Sequence, residues 1–176
     1  MRYSLLILVT LTSFVLFGCE DEKIKNEECV NSKVLAHLGF WIGEWEVYSG
    51  NNELEGENEV KFILGDCVIE ENWQSVTGHS GKSMFYLDPR YNTLKQVWLT
   101  DNPFRPGGVK EKTLVEIKDD KSLVFLGEVY IDSAKSYLDR TILTPVTQNE
   151  VKQQISVSIN RGEKWTNIFE GVYRRK

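Results

Sequence analysis

The chain is poor in the residues from which reactive centres are usually built. Its 176 residues contain two histidines, His37 and His79, and three cysteines with no Cys-x-x-Cys spacing. No clustered set of metal ligands can be drawn from these, so no metal is expected. Positive charge is not in surplus either. Lysine and arginine total 21 against 26 acids, a net charge of -5 at pH 7, which excludes the electrostatic footprint of a nucleic-acid binder. No apolar run reaches the roughly 20 residues that a membrane-spanning helix needs. Glu70 and Glu71 are adjacent on a predicted strand, so their side chains point to opposite faces and cannot act as a glycosidase pair. His79-Ser80 is a neighbouring pair in a glycine-flanked turn and shows no nucleophile–base geometry. No catalytic residue and no cofactor is assigned.

What is present begins at the N-terminus. Met1-Arg2 is followed by 13 residues, 5–17, that are apolar except for Thr10, Thr12 and Ser13. This is the length of a signal-peptide core. It ends Leu16-Phe17-Gly18-Cys19, which resembles a bacterial lipobox. The resemblance implies a signal peptide over 1–18, lipidation at Cys19 and a membrane-anchored protein of the bacterial envelope, at the outer membrane. Several acyl chains anchor far more firmly than one, because each buried CH₂ contributes about 0.8 kcal/mol. Residues 19–30, opening Cys19-Glu20-Asp21-Glu22, read as a flexible acidic tether. The acidic run also resembles a lipoprotein surface-export signal; a plain solvated spacer is the other reading. Removing 1–18 takes away one arginine and no acid, so the mature charge is -5 minus 1, or -6.

With Cys19 lipidated, Cys29 and Cys67 form an even pair, as expected in an oxidising compartment. A bridge across the 37 residues between them would contribute roughly 3–4 kcal/mol by the chain-entropy argument. The alternative is a buried free thiol at Cys67.

The domain is expected over 31–176. Ser32 is a candidate N-cap for a short helix over 33–38, with Gly39 as its left-handed stop. From Gly43 the apolar period becomes two. Trp45 and Val47 share a face, as do Ile69, Glu71 and Trp73, then Ser83, Phe85 and Leu87, then Leu94, Gln96 and Trp98. Tyr86 lies on the opposite face from Phe85. Turns are expected at Ser49-Gly50-Asn51-Asn52, Gly65-Asp66, Asp88-Pro89-Arg90-Tyr91-Asn92, Asp119-Asp120 and 145–149, and a long loop at 103–108. About ten closely spaced, alternating strands predict an all-β, antiparallel barrel. Closure would remove the exposed edges.

The ordered set Phe40-Trp41-Ile42-Gly43-Glu44-Trp45, Gly65-Asp66-Cys67 to Trp73, Gly81-x-Ser83, Tyr86-x-Asp88-Pro89, Gln96-Val97-Trp98, Arg140-Thr141, Val151-Lys152-Gln153 and Phe169-Glu170-Gly171-x-Tyr173-Arg174 resembles the bacterial DUF1579 family. The resemblance covers nearly the whole mature chain. It implies a lipocalin-like, calycin-type barrel and no known reaction, and it fits a cysteine before the first strand pairing with Cys67. Gly43-x-Trp45 is also similar to the lipocalin Gly-x-Trp, whose tryptophan closes the barrel base beneath a late arginine. Arg174 is the candidate for that arginine. Nitrobindin-like proteins share the Gly-x-Trp and bind haem through a late histidine, which is missing here. Ser158-x-Asn160-x-Gly162-x-x-Trp165 resembles an Asp-box and is read as a hairpin turn.

The candidate ligand-binding residues are Glu71, Trp73, Tyr86, Gln96, Trp98, Arg140 and Gln153, polar groups among aromatics as in small-molecule pockets. An inward Arg140–Glu71 pair that only braces the barrel is the competing reading. Three functions follow: a carrier of a small, partly apolar ligand, an interaction module acting through rim loops such as 102–108, or an enzyme using Glu71 or Arg140.

Overall fold

The computed structural model describes residues 33–104 and 107–176. The signal peptide, Cys19, the tether, Cys29 and Ser32 lie outside the described residues. Ten antiparallel strands follow in order: β1 (Gly43–Ser49), β2 (Leu54–Ile63), β3 (Val68–Ser75), β4 (Ser80–Asp88), β5 (Thr93–Thr100), β6 (Val109–Ile117), β7 (Leu123–Tyr130), β8 (Ser136–Thr147), β9 (Glu150–Ser158) and β10 (Thr166–Arg175). Each pairs with its sequence neighbour, and β10 pairs back with β1, closing the barrel. The all-β, ten-stranded antiparallel expectation holds.

The turns follow their residue chemistry. Asn52 N–H donates to the Ser49 carbonyl, and Tyr91 N–H to that of Asp88, as an i to i+3 turn requires. Leu64, Gly65 and Asp66 all have positive φ in the β2–β3 reversal. The Asp-box-like segment is a turn. Gly162 N–H donates to Ser158 Oγ at 2.8 Å, and Lys164 N–H to Asn160 Oδ1 at 2.9 Å.

Three local expectations need correction. The short helix is a 3-10 helix over Leu35–Trp41, and Gly39 lies inside it. The chain leaves it at Ile42 in extended conformation, because Leu35, Leu38 and Trp41 must all reach the barrel floor. Pro145 does not open a loop: it lies within β8, opposite Val151, where the register shifts between Pro145 and Thr147. A proline lacks the N–H for a regular ladder, and such an irregularity accommodates it. The arginine over Trp45 is Arg175, not Arg174.

That arginine completes the base. Trp45 is wholly buried, stacked on Trp41 at 5.9 Å between ring centroids, and donates its indole N–H to the Trp41 carbonyl at 3.1 Å. Trp41 meets Tyr173 edge-on at 4.7 Å. The Arg175 guanidinium lies 4.2 Å from the Trp45 ring and donates to the Ile42 carbonyl at 3.0 Å. Register explains the choice: Trp45 sits opposite Arg175, whereas Arg174 sits opposite Glu46 and stacks outside on Tyr48. Gly43 is required here. Its φ is +148°, and a Cβ would stand 2.0 Å from Arg175 Nη1. The Gly-x-Trp pair is thus the two halves of one lid. Val60, Ile69, Leu94, Leu123, Leu143 and Val151 pack above it into a continuous apolar layer.

Candidate functional site

Beyond that layer the interior changes character. A cavity of about 240 Å³ lies toward the opposite end of the barrel, the mouth. Trp73, Trp98, Ile155, Ile168 and Phe169 give it apolar walls; Glu71, Gln96, Lys110, Lys112, Thr141, Gln153 and Tyr173 give it polar ones. The volume is under the about 300–1,000 Å³ of drug-sized pockets, so the space suits a small guest.

Alternation puts these side chains there. Glu71 and Trp73 project inward from β3, Gln96 and Trp98 from β5, and Gln153 from β9. Five of the seven sequence-predicted ligand residues therefore line one space. The two indoles fit because glycines face them: a Cβ on Gly56 would stand 2.8 Å from Trp73 Cη2, and one on Gly81 2.4 Å from Trp98 Cη2.

Tyr86 and Arg140 do not join them. On β4 Ser83 and Phe85 are buried on the inward face, and Tyr86 faces out beside Asp88 and Lys95. On β8 the inward residues are Asp139, Thr141 and Leu143, so Arg140 points outward, where its guanidinium stacks 4.1 Å from the Trp165 ring. A one-residue offset along a strand exchanges the faces. The braced Arg140–Glu71 pair therefore does not form.

A different brace forms, between β6 and β8. Asp139, fully buried, accepts from Lys110 Nζ at 2.7 Å and is ion-paired to Lys112 Nζ at 2.5 Å. Lys112 also donates to Thr141 Oγ1. β6 and β8 are separated by β7, and Gly127 of β7 makes the crossing feasible. It is the register partner of Asp139, and a Cβ there would stand 3.1 Å from Lys112 Cγ and 2.0 Å from the Glu111 carbonyl oxygen. The missing side chain is the passage through which Lys112 reaches the acid.

Glu71 is in a different position. Asn58 Nδ2 donates to its Oε1 at 3.2 Å, while Oε2 has no hydrogen-bond partner. Burial pushes its carboxyl up, against the opposing pull of the neighbouring Ser83 and Asn58 side chains and the attraction of Lys112. Burial also pulls Lys112 down to about 8, with Asp139 supporting its charged form. Gln96 donates to Ser83 Oγ at 3.1 Å and leaves Oε1 unpartnered. Tyr173 donates to Gln153 Oε1 at 2.8 Å, and burial, with Glu71 adding, raises its phenol well above the usual value. Buried polar atoms are ordinarily satisfied, so two unpaired oxygens on residues that line a cavity mark places where a guest or water can complete the bonding.

Among the described residues, no group of three or more His, Cys, Asp or Glu is placed to hold a metal ion. Cys67, in the β2–β3 turn at the base, is not a free thiol. The Cys29 end of the expected pair lies outside the described residues. No protein-family model matches the chain, and no curated protein is significantly similar to it.

Proposed function

We propose that the protein is a lipid-anchored carrier of the bacterial envelope that holds a small, partly apolar molecule in the mouth half of its barrel. The observation that carries this is the mixture lining one cavity: two indoles and a phenyl ring together with Glu71 and Gln96, each of which has an unpaired oxygen. Apolar walls with a few convergent polar groups are the usual make-up of a ligand site. The resemblance to lipocalin-like DUF1579 proteins supports the same reading.

Native mass spectrometry of the mature protein, purified gently from its host without the anchor, tests it. The expected result is a reproducible extra mass that disappears on unfolding. A clean apo mass, with no small molecule from a host extract raising the melting temperature, would contradict it.

Anchoring is tested separately: Cys19→Ser releases the protein from the membrane fraction. The Cys29–Cys67 bridge predicts no free thiol from these two residues in the denatured, unreduced mature protein.

A second reading has one observation behind it. At the mouth, Phe104 is 97% exposed and Ile159 87% exposed, an apolar rim that suits a protein partner. On that reading, Phe104→Ser with Ile159→Ser abolishes partner capture and leaves any bound small molecule in place.

A further inference from the structure

The charges inside the barrel narrow the ligand class; this step rests on the carrier reading. Four ionisable side chains besides Tyr173 concern the cavity: Lys110 and Lys112 on β6, Asp139 on β8 and Glu71 on β3. Two ammonium groups share a single carboxylate. Lys112 and Asp139 are 3% and 0% exposed, and Lys110 only 12%. Asp139 cannot neutralise both, and a buried surplus charge is costly unless something compensates it. Glu71 attracts Lys112 from a distance, but burial favours its neutral carboxyl, so it compensates the lysines only weakly. Its carboxyl bonds to Asn58, not to a lysine, and its second oxygen has no partner. The two lysines line the same space as the indoles of Trp73 and Trp98.

We infer that the ligand is a small monocarboxylic acid with a flat aromatic body, its carboxylate received by the ammonium groups of Lys112 and Lys110 and its ring held between Trp73, Trp98 and Phe169. The anion supplies the negative charge that Asp139 alone does not. The two ammonium groups, drawn together by Asp139, give it charge-assisted bonds. With burial favouring the neutral Glu71 carboxyl, that group donates an O–H from Oε2 to the same anion instead of repelling it. The 240 Å³ volume accommodates one ring with a short acid arm.

The test uses the wild-type mature protein and three probes of nearly one shape: benzoate, benzamide and benzylammonium. Binding is followed by isothermal titration and tryptophan fluorescence. Benzoate is expected to bind, benzamide about tenfold more weakly or worse, and benzylammonium not at all. Lys112→Met is expected to reduce benzoate affinity about tenfold while leaving benzamide unchanged. If that variant does not fold, Lys110→Met, nearer solvent, reads the same preference. Equal binding of benzoate and benzamide, or preference for the cation, overturns the anion assignment and leaves the carrier reading standing. Failure of all three, and of indole-3-acetate and indole-3-acetamide as larger probes, overturns the assignment of an aromatic guest. A co-purified mass that proves non-aromatic does the same while upholding the carrier.

Discussion

The two ends of this barrel are built from the same strands and solve opposite problems. At the base, Trp41, Trp45 and Tyr173 fill the bore, and Arg175 covers it. At the mouth, Trp73 and Trp98 stand against the wall on glycines, and the bore stays hollow. At the base Trp45 and Arg175 bond to backbone carbonyls while Trp41 Nε1 is left unpaired; at the mouth the unpaired atoms are oxygens of Glu71 and Gln96, on residues that line the hollow. Aromatic residues therefore have two meanings in one molecule. Where a helix and an arginine seal them they are core; where glycine holds them aside they are a lining.

Substitutions at the two ends should part accordingly. The largest effect is expected at the base. Trp45→Ala should cost about 3–5 kcal/mol of stability, the usual penalty for removing a large buried aromatic, as measured by urea unfolding. If it unfolds the protein by less than the mouth substitutions do, the division is wrong.

Next comes the brace. Asp139→Ala leaves two ammonium groups buried without their acid, a loss of about 3–5 kcal/mol. Benzoate should restore part of it, seen as a larger ligand-induced rise in melting temperature than for the wild type. No such gain would separate the brace from the ligand.

Gly81→Ala sharpens the contrast. Its Cβ would stand 2.4 Å from Trp98, so the indole must swing into the cavity. A stability loss of about 1–3 kcal/mol is expected, as for other overpacking changes. Ligand binding should fall much further in the same titration.

The smallest change is Glu71→Gln. The amide is nearly isosteric with the neutral carboxyl, so stability near pH 5 should hardly move. The sign of the pH dependence follows from the raised folded-state pKa. An acid whose folded pKa lies above its unfolded value of 4.5 adds stability below that value and loses it as pH rises through the folded pKa. Glu71→Gln removes that decline, so the variant should gain on the wild type as pH increases. Parallel pH–stability curves would show that Glu71 ionises freely in the fold.

The sequence made this division legible only in part. Clean alternation marks the strands, and Glu71, Trp73, Gln96, Trp98 and Gln153 fall inward because their strands have one plainly apolar face. On β6, Val109-Lys110-Glu111-Lys112-Thr113 carries charge on both faces, so period two cannot choose between them. The choice is made by Asp139, two strands away, through the gap at Gly127. A pairing that crosses an intervening strand leaves no signature in local periodicity. The face of Arg140 is hidden from local pattern for a related reason. Its outward partner, Trp165, reaches it from the turn after β9, whereas its own strand neighbours point to an inward face. Arg175 differed from Arg174 by one register step, which only the β1–β10 closure fixes.

The most direct measurement is the indole 1H–15N spectrum of the five tryptophans during titration with benzoate. The account predicts that Trp73 and Trp98 shift together and saturate, while Trp41, Trp45 and the outward Trp165 stay in place. Saturating shifts at Trp41 or Trp45, or an unchanged Trp73 and Trp98, would contradict it.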